Sequence, residues 1–293
     1  MKAIQLTESK SSAIGPILSH YQAAVLLKAK QEGRSSLTAS IDLGMNSIDI
    51  QLLERHITLP DGTAISWENI ETINANKDNC FNIKKDEVQK IRGYSEIAGR
   101  SYSLFPTPDA PSMIIAGFLM HRIKGITPWQ SVLAMVQTIA PLHGLVLDTS
   151  TGLGYTAICV AKTASKVITI EIDPGAQEMA RYNPWSRELF CNPKISIVMG
   201  DSFNKIAAFD SLMFSAILHD PPSMSIAGDL YSGEFYKQAY RVLMPRGRMF
   251  HYIGDPNSSL GARVTKGVVR RLKENGFTKV VQRPSEFGVV AYK

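Results

Sequence analysis

From residue 144 onward, short apolar runs of strand length alternate with segments of helical periodicity. The apolar runs are Gly144–Asp148, Val167–Glu171, Ile195–Met199, Leu212–Leu218 and Arg248–Ile253. The helical segments between them span 156–164, 175–182, 203–207 and 231–243. Such alternation predicts strand–helix–strand crossovers, which build a parallel sheet covered by helices on both faces.

The end of the chain departs from this alternation. A basic helix is predicted at 260–275, and two further strands follow it, Lys279–Gln282 and Gly288–Tyr292. The connection between these strands is too short for a helical crossover, so we expect them to pair antiparallel. The sequence therefore predicts a mostly parallel α/β sheet that closes with an antiparallel hairpin.

The beginning of the chain has another pattern. A helix is predicted over 16–33, and apolar residues then alternate with polar ones through 35–65. This period is that of half-buried strands, and Pro60-Asp61-Gly62 supplies the chemistry of a turn between two of them. We expect a small α+β region here, with a short antiparallel sheet.

Prolines separate the two patterns. Three of them fall within 104–111, which predicts a linker, and helices are predicted after it at 112–123 and 128–140. We therefore predict an N-terminal α+β region for substrate recognition, residues 1–107, and a larger domain, residues 108–293.

Composition limits the class of protein further. Hydrophobic residues make up 44% and charged residues 20% of the chain, as in a folded globular protein. The longest apolar stretch, 113–120, is far shorter than the ~20 residues that a membrane span needs. The first twelve residues contain no apolar run, which argues against a secretory signal. The three cysteines have no metal-type spacing, so we expect reduced thiols, a cytoplasmic location and no metal site.

The turn after the first strand of the larger domain is rich in glycine and small polar residues. It reads Asp148-Thr149-Ser150-Thr151-Gly152-Leu153-Gly154-Tyr155, and Glu171 follows Gly152 by 19 residues at the end of the next strand. A carboxylate at this spacing can accept hydrogen bonds from both hydroxyls of a ribose. A tight turn would also explain the glycines, but together with Glu171 they favour a nucleoside cofactor.

This arrangement resembles the class I S-adenosylmethionine-dependent methyltransferases, whose first loop usually reads acidic-x-Gly-x-Gly-x-Gly. Ser150 stands where the first glycine is expected, and Gly200-Asp201-Ser202 is similar to the family's adenine-contacting element. The resemblance implies a Rossmann-like seven-stranded sheet and S-adenosylmethionine as cofactor. It assigns cofactor binding to Asp148, Ser150, Gly152, Gly154, Tyr155, Glu171, Asp201 and Ser202.

The segment Asp220-Pro221-Pro222-Ser223 is similar to the Asp/Asn-Pro-Pro-aromatic loop of methyltransferases that act on planar amino nitrogens. Such a nitrogen is a poor nucleophile, and a carboxylate and a backbone carbonyl accepting its N–H bonds would favour the charge of the transition state. We therefore predict that these four residues are catalytic. Because Ser223 replaces the aromatic residue, base stacking is expected from Phe105, Tyr231 or Phe235. A rigid turn after a strand is the alternative interpretation.

A second resemblance is to spermidine-synthase-type aminopropyltransferases, which use the same fold and decarboxylated S-adenosylmethionine. It rests on Val167–Arg181 and on Leu230-Tyr231-Ser232-Gly233-Glu234-Phe235-Tyr236. Those enzymes usually carry a Gly-Gly-Gly-Asp-Gly-Gly first loop and extra acidic residues beside strand four, because their substrate is a polycation. This chain has neither feature, so we rank this resemblance second.

Basic residues suggest a further partner. The net charge is +6, and the predicted helix 260–275 contains Arg263, Lys266, Arg270, Arg271 and Lys273. These side chains form either a solvated helix face or a surface for an RNA backbone. Two histidines have structural interpretations: His219 holds the loop at Asp220 or touches substrate, and His251 is a partly buried, hydrogen-bonded residue.

Taken together, the motifs resemble predicted archaeal-type methyltransferases with a D-x-(S/T)-x-G-L-G-Y first loop, a group similar to nucleic-acid amino-methyltransferases. We therefore predict methyl transfer to an exocyclic amino nitrogen, with cytosine in structured RNA such as rRNA as the target. The alternatives are an aminopropyltransferase acting on a polyamine and a methyltransferase acting on a protein or a small molecule. No membrane partner is expected, and the oligomeric state stays open.

Overall fold

The computed structural model describes residues 14–293. The first twelve residues, from which a secretory signal was argued against, lie outside the described residues. The chain divides into two compact units. One comprises the part up to Trp129 together with Gly175–Arg187, and the other comprises Gln130–Pro174 and Glu188–Lys293. Every residue predicted for the cofactor and the chemistry belongs to the second unit.

Up to residue 119, the first unit is built from short strands and two helices. Its elements are β1 (Ile17–Leu18), α1 (His20–Gln31), β2 (Ser36–Ala39), β3 (Ile48–Leu52), β4 (His56–Thr58), β5 (Ala64–Ser66), α2 (Trp67–Ala75), β6 (Phe81–Lys84), β7 (Glu87–Lys90), β8 (Arg92–Ser95), β9 (Arg100–Phe105), β10 (Ser112–Ile115) and β11 (Phe118–Leu119). They form three antiparallel sheets, in the orders β1-β6-β7, β2-β3-β4-β5 and β11-β10-β9-β8. The predicted turn at Pro60-Asp61-Gly62 connects β4 to β5.

Two predictions for this part of the chain are wrong. Residues 104–111 are not a linker, because β9 and β10 pair across them with Phe105 opposite Ser112. Residues 112–123 are not helical either, because Ile115 pairs with Phe118 and Ala116 and Gly117 both have positive φ, at 48° and 84°. Two successive positive φ values make a two-residue hairpin turn, which a helix cannot contain.

The rest of the chain alternates strands and helices as predicted. Its elements are α3 (Pro128–Gln137), β12 (Leu145–Asp148), α4 (Tyr155–Ala161), β13 (Lys166–Glu171), α5 (Pro174–Tyr182), α6 (Arg187–Cys191), β14 (Ile195–Met199), α7 (Ser202–Ala207), β15 (Phe214–His219), α8 (Gly233–Val242), β16 (Leu243–Tyr252), α9 (Ser259–Glu274), β17 (Lys279–Arg283) and β18 (Gly288–Tyr292). Single 3₁₀ turns lie at Pro184–Ser186, Gly228–Tyr231 and Pro284–Glu286.

The strands of the second unit form one seven-stranded sheet in the order β14-β13-β12-β15-β16-β18-β17. The first five of these strands are mutually parallel, whereas β18 pairs antiparallel with both β16 and β17. The predicted fold, including its antiparallel closing hairpin, is therefore confirmed. The core contains Leu147, Ile217 and Met249 from the sheet and Tyr236 and Val268 from the helices, all fully buried.

Strand order decides where a ligand can bind. The sheet reverses direction of winding between β12 and β15, which are neighbours although β13 and β14 lie between them in sequence. In open α/β sheets, ligands bind at the carboxyl ends of the strands at such a point. Asp148, Glu171 and Asp220 stand at the carboxyl ends of β12, β13 and β15, respectively. These strand ends are therefore the candidate site.

Helix α9 carries four of its five predicted basic residues on the side away from the core, whereas Arg271 is half-buried and donates to the Tyr231 carbonyl at 2.9 Å. Its buried residues are Gly261, Thr265, Val268 and Leu272, and its exposed basic residues are Arg263, Lys266, Arg270 and Lys273. An RNA partner for this face stays a prediction. In the described part of the chain, no helix is both long and apolar enough to cross a membrane.

Candidate active site

The loop between β12 and α4 has a backbone that glycine makes accessible. Gly152 and Gly154 have φ values of 51° and 79°, in the left-handed region that other residues rarely adopt. Gly154 is the N-cap of α4, and its N–H donates to the carbonyl of Thr151 at 2.7 Å. Tyr155 begins the helix and is buried. The loop is thus a tight strand-to-helix turn, as its sequence predicts.

Glu171 fastens this loop to the neighbouring strand. Its Oε2 atom accepts the N–H of Gly152 at 2.8 Å, and its Oε1 atom accepts the N–H of Asp173 at 3.0 Å. Each oxygen of a carboxylate can accept a second hydrogen bond, so one acceptor position on each remains for a ligand. Burial raises the pKa of Glu171 to about 7, against the opposing effect of these two N–H groups. Ribose binding by Glu171 stays a prediction, and the geometry is compatible with it.

Asp148 is fully buried at the end of β12 and only half satisfied. Its Oδ2 atom accepts the hydroxyl of Thr169 at 2.8 Å, whereas Oδ1 has no hydrogen-bond partner among the described residues. Burial raises the pKa of Asp148 to about 8; the nearby charges of Asp220 and Glu171 raise it further, while the Thr169 hydroxyl and the Ser150 N–H lower it. A buried acceptor without a partner is costly, so Oδ1 marks a position for a donor or a cation.

The raised pKa of Asp148 makes the stability of the ligand-free protein depend on pH. The folded chain holds a proton on Asp148 between about pH 4 and pH 8, where the unfolded chain has lost it. Stability therefore falls as pH rises through this window, by about 1.4 kcal/mol per pH unit for one such group. Glu171 adds a contribution of the same sign below pH 7.

Replacing Asp148 with Asn should flatten this dependence. We expect the unfolding free energy of Asp148→Asn to fall less steeply than that of the parent between pH 5 and pH 7, by on the order of 1 kcal/mol per pH unit. Denaturant titration of the ligand-free protein at three pH values measures it. Asp229→Asn, an exposed residue of the same unit, is the control. Parallel slopes for parent and Asp148→Asn would show that Asp148 is ionised in the folded protein.

Asp201 and Ser202 lie at the third strand end and serve the local structure. Asp201 caps α7 by accepting the N–H of Phe203 at 2.9 Å, and it also accepts the Asn204 side-chain amide at 3.1 Å. The buried hydroxyl of Ser202 donates to the carbonyl of Thr149 at 2.6 Å. Contact of this segment with an adenine stays a prediction.

Asp220 begins the segment between β15 and α8. Burial raises its pKa to about 7, and the residue retains partial solvent access. Among the described residues, no side chain or backbone group forms a hydrogen bond with its carboxylate. Its charge acts on Asp148 and on the buried Tyr231, raising the pKa of both. The Asp220 carboxylate is therefore partly accessible, makes no hydrogen bond among the described residues, and lies close enough to Asp148, at the start of the loop between β12 and α4, to raise its pKa.

The residues after Asp220 form an exposed turn. Pro221 is buried, but Pro222 and Ser223 are exposed, and the Ser223 hydroxyl contacts that of Ser225 at 2.9 Å. The hydroxyl of Tyr231 donates to the Pro222 carbonyl at 3.1 Å and so closes the turn. A catalytic role for Pro221, Pro222 and Ser223 stays a prediction.

The aromatic residues proposed for base stacking do not present a free ring. Tyr231 and Phe235 are 1% and 0% exposed, and Phe235 stacks on His219 with ring centroids 4.5 Å apart. Phe105 lies in β9 of the first unit. Their core positions leave neither Tyr231 nor Phe235 available to a flat base.

The predicted site residues thus come together at one sheet edge, but the hydroxyls that organise them were not predicted. Thr169 bridges Asp148 and Thr151, which lies 2.7 Å from it, and Thr149 contacts His219. The sequence does contain a signal for Thr169: side chains alternate along β13, so Thr169 points to the same side as Glu171. His251 is fully buried, and its Nδ1 atom has no partner in the described chain, so the interpretation of a partly buried, hydrogen-bonded histidine is only half right.

Three carboxylates dominate the electrostatics of the site. Glu171 and Asp220 raise the pKa of Asp148, and no Lys or Arg is among the groups that shift the pKa of any of the three. The ion pairs of the described residues all lie elsewhere, between Lys28 and Glu32, Lys30 and Glu71, Arg34 and Glu32, and Arg270 and Glu274. Within residues 14–293 no group of acidic, histidine or cysteine side chains is arranged to hold a metal ion.

A sheet of this order with carboxylates at its switch point defines the Rossmann-like class that includes methyltransferases and spermidine synthases. Within it, the chain belongs to the family of the uncharacterized protein MJ1233 of Methanocaldococcus jannaschii, with 40% identity over 240 residues, 80% of each chain. No protein-family model matches the chain.

Other relatives cover shorter stretches. The chain is 32% identical to a polyamine aminopropyltransferase of Mycobacterium tuberculosis over 124 residues, 39% of this chain and 23% of that protein. It is 27% identical over 124 residues to the polyamine aminopropyltransferase of Aeropyrum pernix, 40% of whose length is matched. These matches span less than half of either relative.

A solved structure shares the fold. Spermidine synthase in complex with the transition-state analogue AdoDATO superposes with a TM-score of 0.56 and 22% identity, covering 69% of this chain and 71% of that one. The findings support an enzyme of the transferase class. They contradict the prediction of RNA cytosine methylation, because the relatives with named activities transfer aminopropyl groups to polyamines. The order in which the two resemblances were ranked was wrong.

Proposed function

We propose that this protein transfers the aminopropyl group of decarboxylated S-adenosylmethionine to the nitrogen of an amine. The observation that carries the proposal is the set of three acidic residues, Asp148, Glu171 and Asp220, at the switch point, where no Lys or Arg of residues 14–293 is among the groups that shift their pKa values. Both the donor and an amine acceptor are cations. The names of the aminopropyltransferase relatives agree with this chemistry.

The residues present fit such a donor. Glu171 has acceptor positions left for the ribose hydroxyls, and the positive-φ glycines allow the nucleoside to approach the loop backbone. The unpartnered Oδ1 of Asp148 suits the ammonium of an aminopropyl group. Once a bound cation favours their ionised forms, the same three acids would repel the carboxylate of S-adenosylmethionine itself. When bound, the donor supplies a carbon made electrophilic by its attachment to a sulfonium.

We assign Asp220 to the acceptor. In the transfer the amine nitrogen forms a bond to the donor carbon, the carbon–sulfur bond breaks with its electron pair staying on sulfur, and methylthioadenosine leaves. The nitrogen must lose a proton, and the unengaged Asp220 carboxylate, with a pKa of about 7, can accept it. The ionised form also orients the acceptor by accepting its N–H bonds.

The acceptor side is less acidic than a long polycation would require. At the end of β15 the three residues before Asp220 are Ile217, Leu218 and the neutral His219, all buried. The following segment, 221–232, contains only one more acid, the exposed Asp229, and presents Met224 and Ile226 at 41% and 45% exposure. These features favour a short amine, or an amine with an apolar portion, over a tri- or tetra-cation.

A ligand panel tests the proposal. We expect methylthioadenosine and decarboxylated S-adenosylmethionine to stabilise the protein, by about 2.7 kcal/mol at a concentration 100 times the Kd. S-adenosylhomocysteine should stabilise it less. Incubation with decarboxylated S-adenosylmethionine and each of a monoamine, a diamine and spermidine should release methylthioadenosine, measured by chromatography, and add an aminopropyl mass to the amine.

Two results would overturn the proposal. One is stabilisation by S-adenosylhomocysteine with none by methylthioadenosine. The other is production of S-adenosylhomocysteine from S-adenosylmethionine together with no release of methylthioadenosine in the presence of any amine.

A further inference from the structure

Three elements of the site meet at one threonine. The Thr149 carbonyl accepts the hydroxyl of Ser202 at 2.6 Å, and the Thr149 N–H donates to the carbonyl of Leu218 at 3.0 Å. The Thr149 hydroxyl lies 2.7 Å from Nδ1 of His219 and 3.4 Å from the Leu218 carbonyl. Thr149 directly follows Asp148, so the loop after β12 is joined here to the start of α7 and to the end of β15.

His219 extends this connection to Leu230, near the other end of the segment 220–231. Its Nε2 atom lies 2.9 Å from the carbonyl of Leu230. Since a carbonyl only accepts, Nε2 carries the proton and Nδ1 must accept the Thr149 hydroxyl. Burial keeps the imidazole neutral by lowering its pKa to about 3, so both bonds persist at physiological pH.

The ring of His219 is fixed in orientation. It stacks on Phe235, with centroids 4.5 Å apart and planes 24° apart, and it meets the edge of His251 at 4.4 Å. The next residue after Leu230 is Tyr231, which closes the turn through Pro222 and whose carbonyl accepts Nε of Arg271 at 2.9 Å. Both ends of the segment 220–231 are thereby anchored to His219, the first through the chain and the second through Leu230.

We propose that His219 is a positioning residue. Together with Thr149 it holds the segment 220–231 in a fixed position relative to the loop between β12 and α4. This inference rests on the proposed function: Asp220 must meet an acceptor whose nitrogen is aligned with a carbon held by the other loop. Productive displacement needs the reacting atoms about 3–3.5 Å apart, and a displacement of about 1 Å costs roughly 100-fold in rate. A neutral imidazole that forms one hydrogen bond through each ring nitrogen supplies that alignment.

Two replacements separate the two bonds of His219. In His219→Asn the amide oxygen falls near the position of Nδ1, which can keep the Thr149 bond, but the side chain is too short to reach Leu230. In His219→Gln the amide nitrogen falls near Nε2, which can keep the Leu230 bond. Thr149→Val removes the hydroxyl that bonds Nδ1 and, with it, the longer 3.4 Å bond of that hydroxyl to the Leu218 carbonyl. The exposed His143→Asn is the matched control.

We expect His219→Asn to lower kcat by about 10- to 100-fold and to raise the KM for the amine, with the Kd for methylthioadenosine changed by less than about threefold. His219→Gln should recover most of the kcat. Thr149→Val combined with His219→Gln should be no worse than the poorer single variant, because both remove the same bond. Equal losses in kcat and in folded fraction, with no recovery by Gln, would reduce His219 to a structural residue.

A readout without turnover keeps the inference separate from the proposed function. The amides of Ile226 and Ala227 donate to the Ser223 carbonyl at 2.8 and 3.0 Å. Methylthioadenosine, bound at Glu171 and the loop between β12 and α4 as proposed, should slow hydrogen exchange at these amides in the parent and not in His219→Asn. If the parent shows this protection and transfers no aminopropyl group, the positioning role stands and the proposed function fails. If the ligand binds and exchange is unchanged in the parent, the positioning role is wrong.

Discussion

Replacing Asp220 with Asn is expected to lower the rate of aminopropyl transfer by about 10²- to 10⁴-fold, the range typical of removing a positioned general base. The variant keeps the shape of the side chain but can no longer accept a proton from the amine. Since Asp220 makes no hydrogen bond within residues 14–293, the fold should not change. Steady-state release of methylthioadenosine measures the loss, and calorimetric titration with methylthioadenosine should give a Kd within about threefold of the parent.

The pH profile gives a second measure of the same role. Asp220 ionises near pH 7, so the transfer rate of the parent should rise as pH increases through about 7. Asp220→Asn should lack this inflection, and Asp229→Asn, in the same segment, should retain it. An unchanged inflection in Asp220→Asn, or loss of ligand binding together with the rate, would exclude the role assigned to Asp220.

Replacing Glu171 with Gln should act on nucleoside binding instead. The Gln side chain can accept only one of the two N–H groups that Glu171 accepts, from Gly152 and Asp173, and it turns an NH₂ group toward the other. Hydrogen bonds to charged groups contribute about 1.5–3 kcal/mol each. We expect the Kd for methylthioadenosine to rise by about 10- to 100-fold, measured by calorimetry.

A control separates this effect from general loss of charge. Glu188→Gln, at an exposed position of the second unit, should leave the Kd within about twofold. The rate at saturating donor should fall far less in Glu171→Gln than in Asp220→Asn, because Glu171 does not meet the acceptor. Equal binding by parent and Glu171→Gln would show that the nucleoside does not use this carboxylate.

The wrong prediction of function has a specific origin. Asp220-Pro221-Pro222-Ser223 resembles a methyltransferase loop, whereas the segment Leu230–Tyr236 resembles aminopropyltransferases, so the two motifs predict different functions. In the structure Ser223 is exposed, while Tyr231 and Phe235 are buried in the core. A motif specifies which atoms a loop can offer, but its surroundings determine which substrate reaches them.

The missed hairpins around residues 100–119 show a limit of local pattern. Prolines at 106, 108 and 111 indicated a linker, yet they lie in the loop between two paired strands, β9 and β10. Pairing between strands depends on partners distant in sequence, which proline content does not reveal. The apolar run 113–120 suited a helix equally well until the Ala116–Gly117 turn divided it.

By itself, the sequence determined the seven-stranded sheet, its antiparallel closing pair and the placing of Asp148, Glu171 and Asp220 at strand ends, because hydrophobic period and glycine position are local properties. Only the tertiary structure decided that the three carboxyl groups lie at neighbouring strand ends, that one oxygen of Asp148 lacks a partner among the described residues, and that His219 bonds both Thr149 and Leu230. These features depend on strand order and burial, because charges act through space between residues distant in sequence, such as Asp148 and Asp220, and hydrogen bonds do so between Thr149 and His219, which are 70 positions apart.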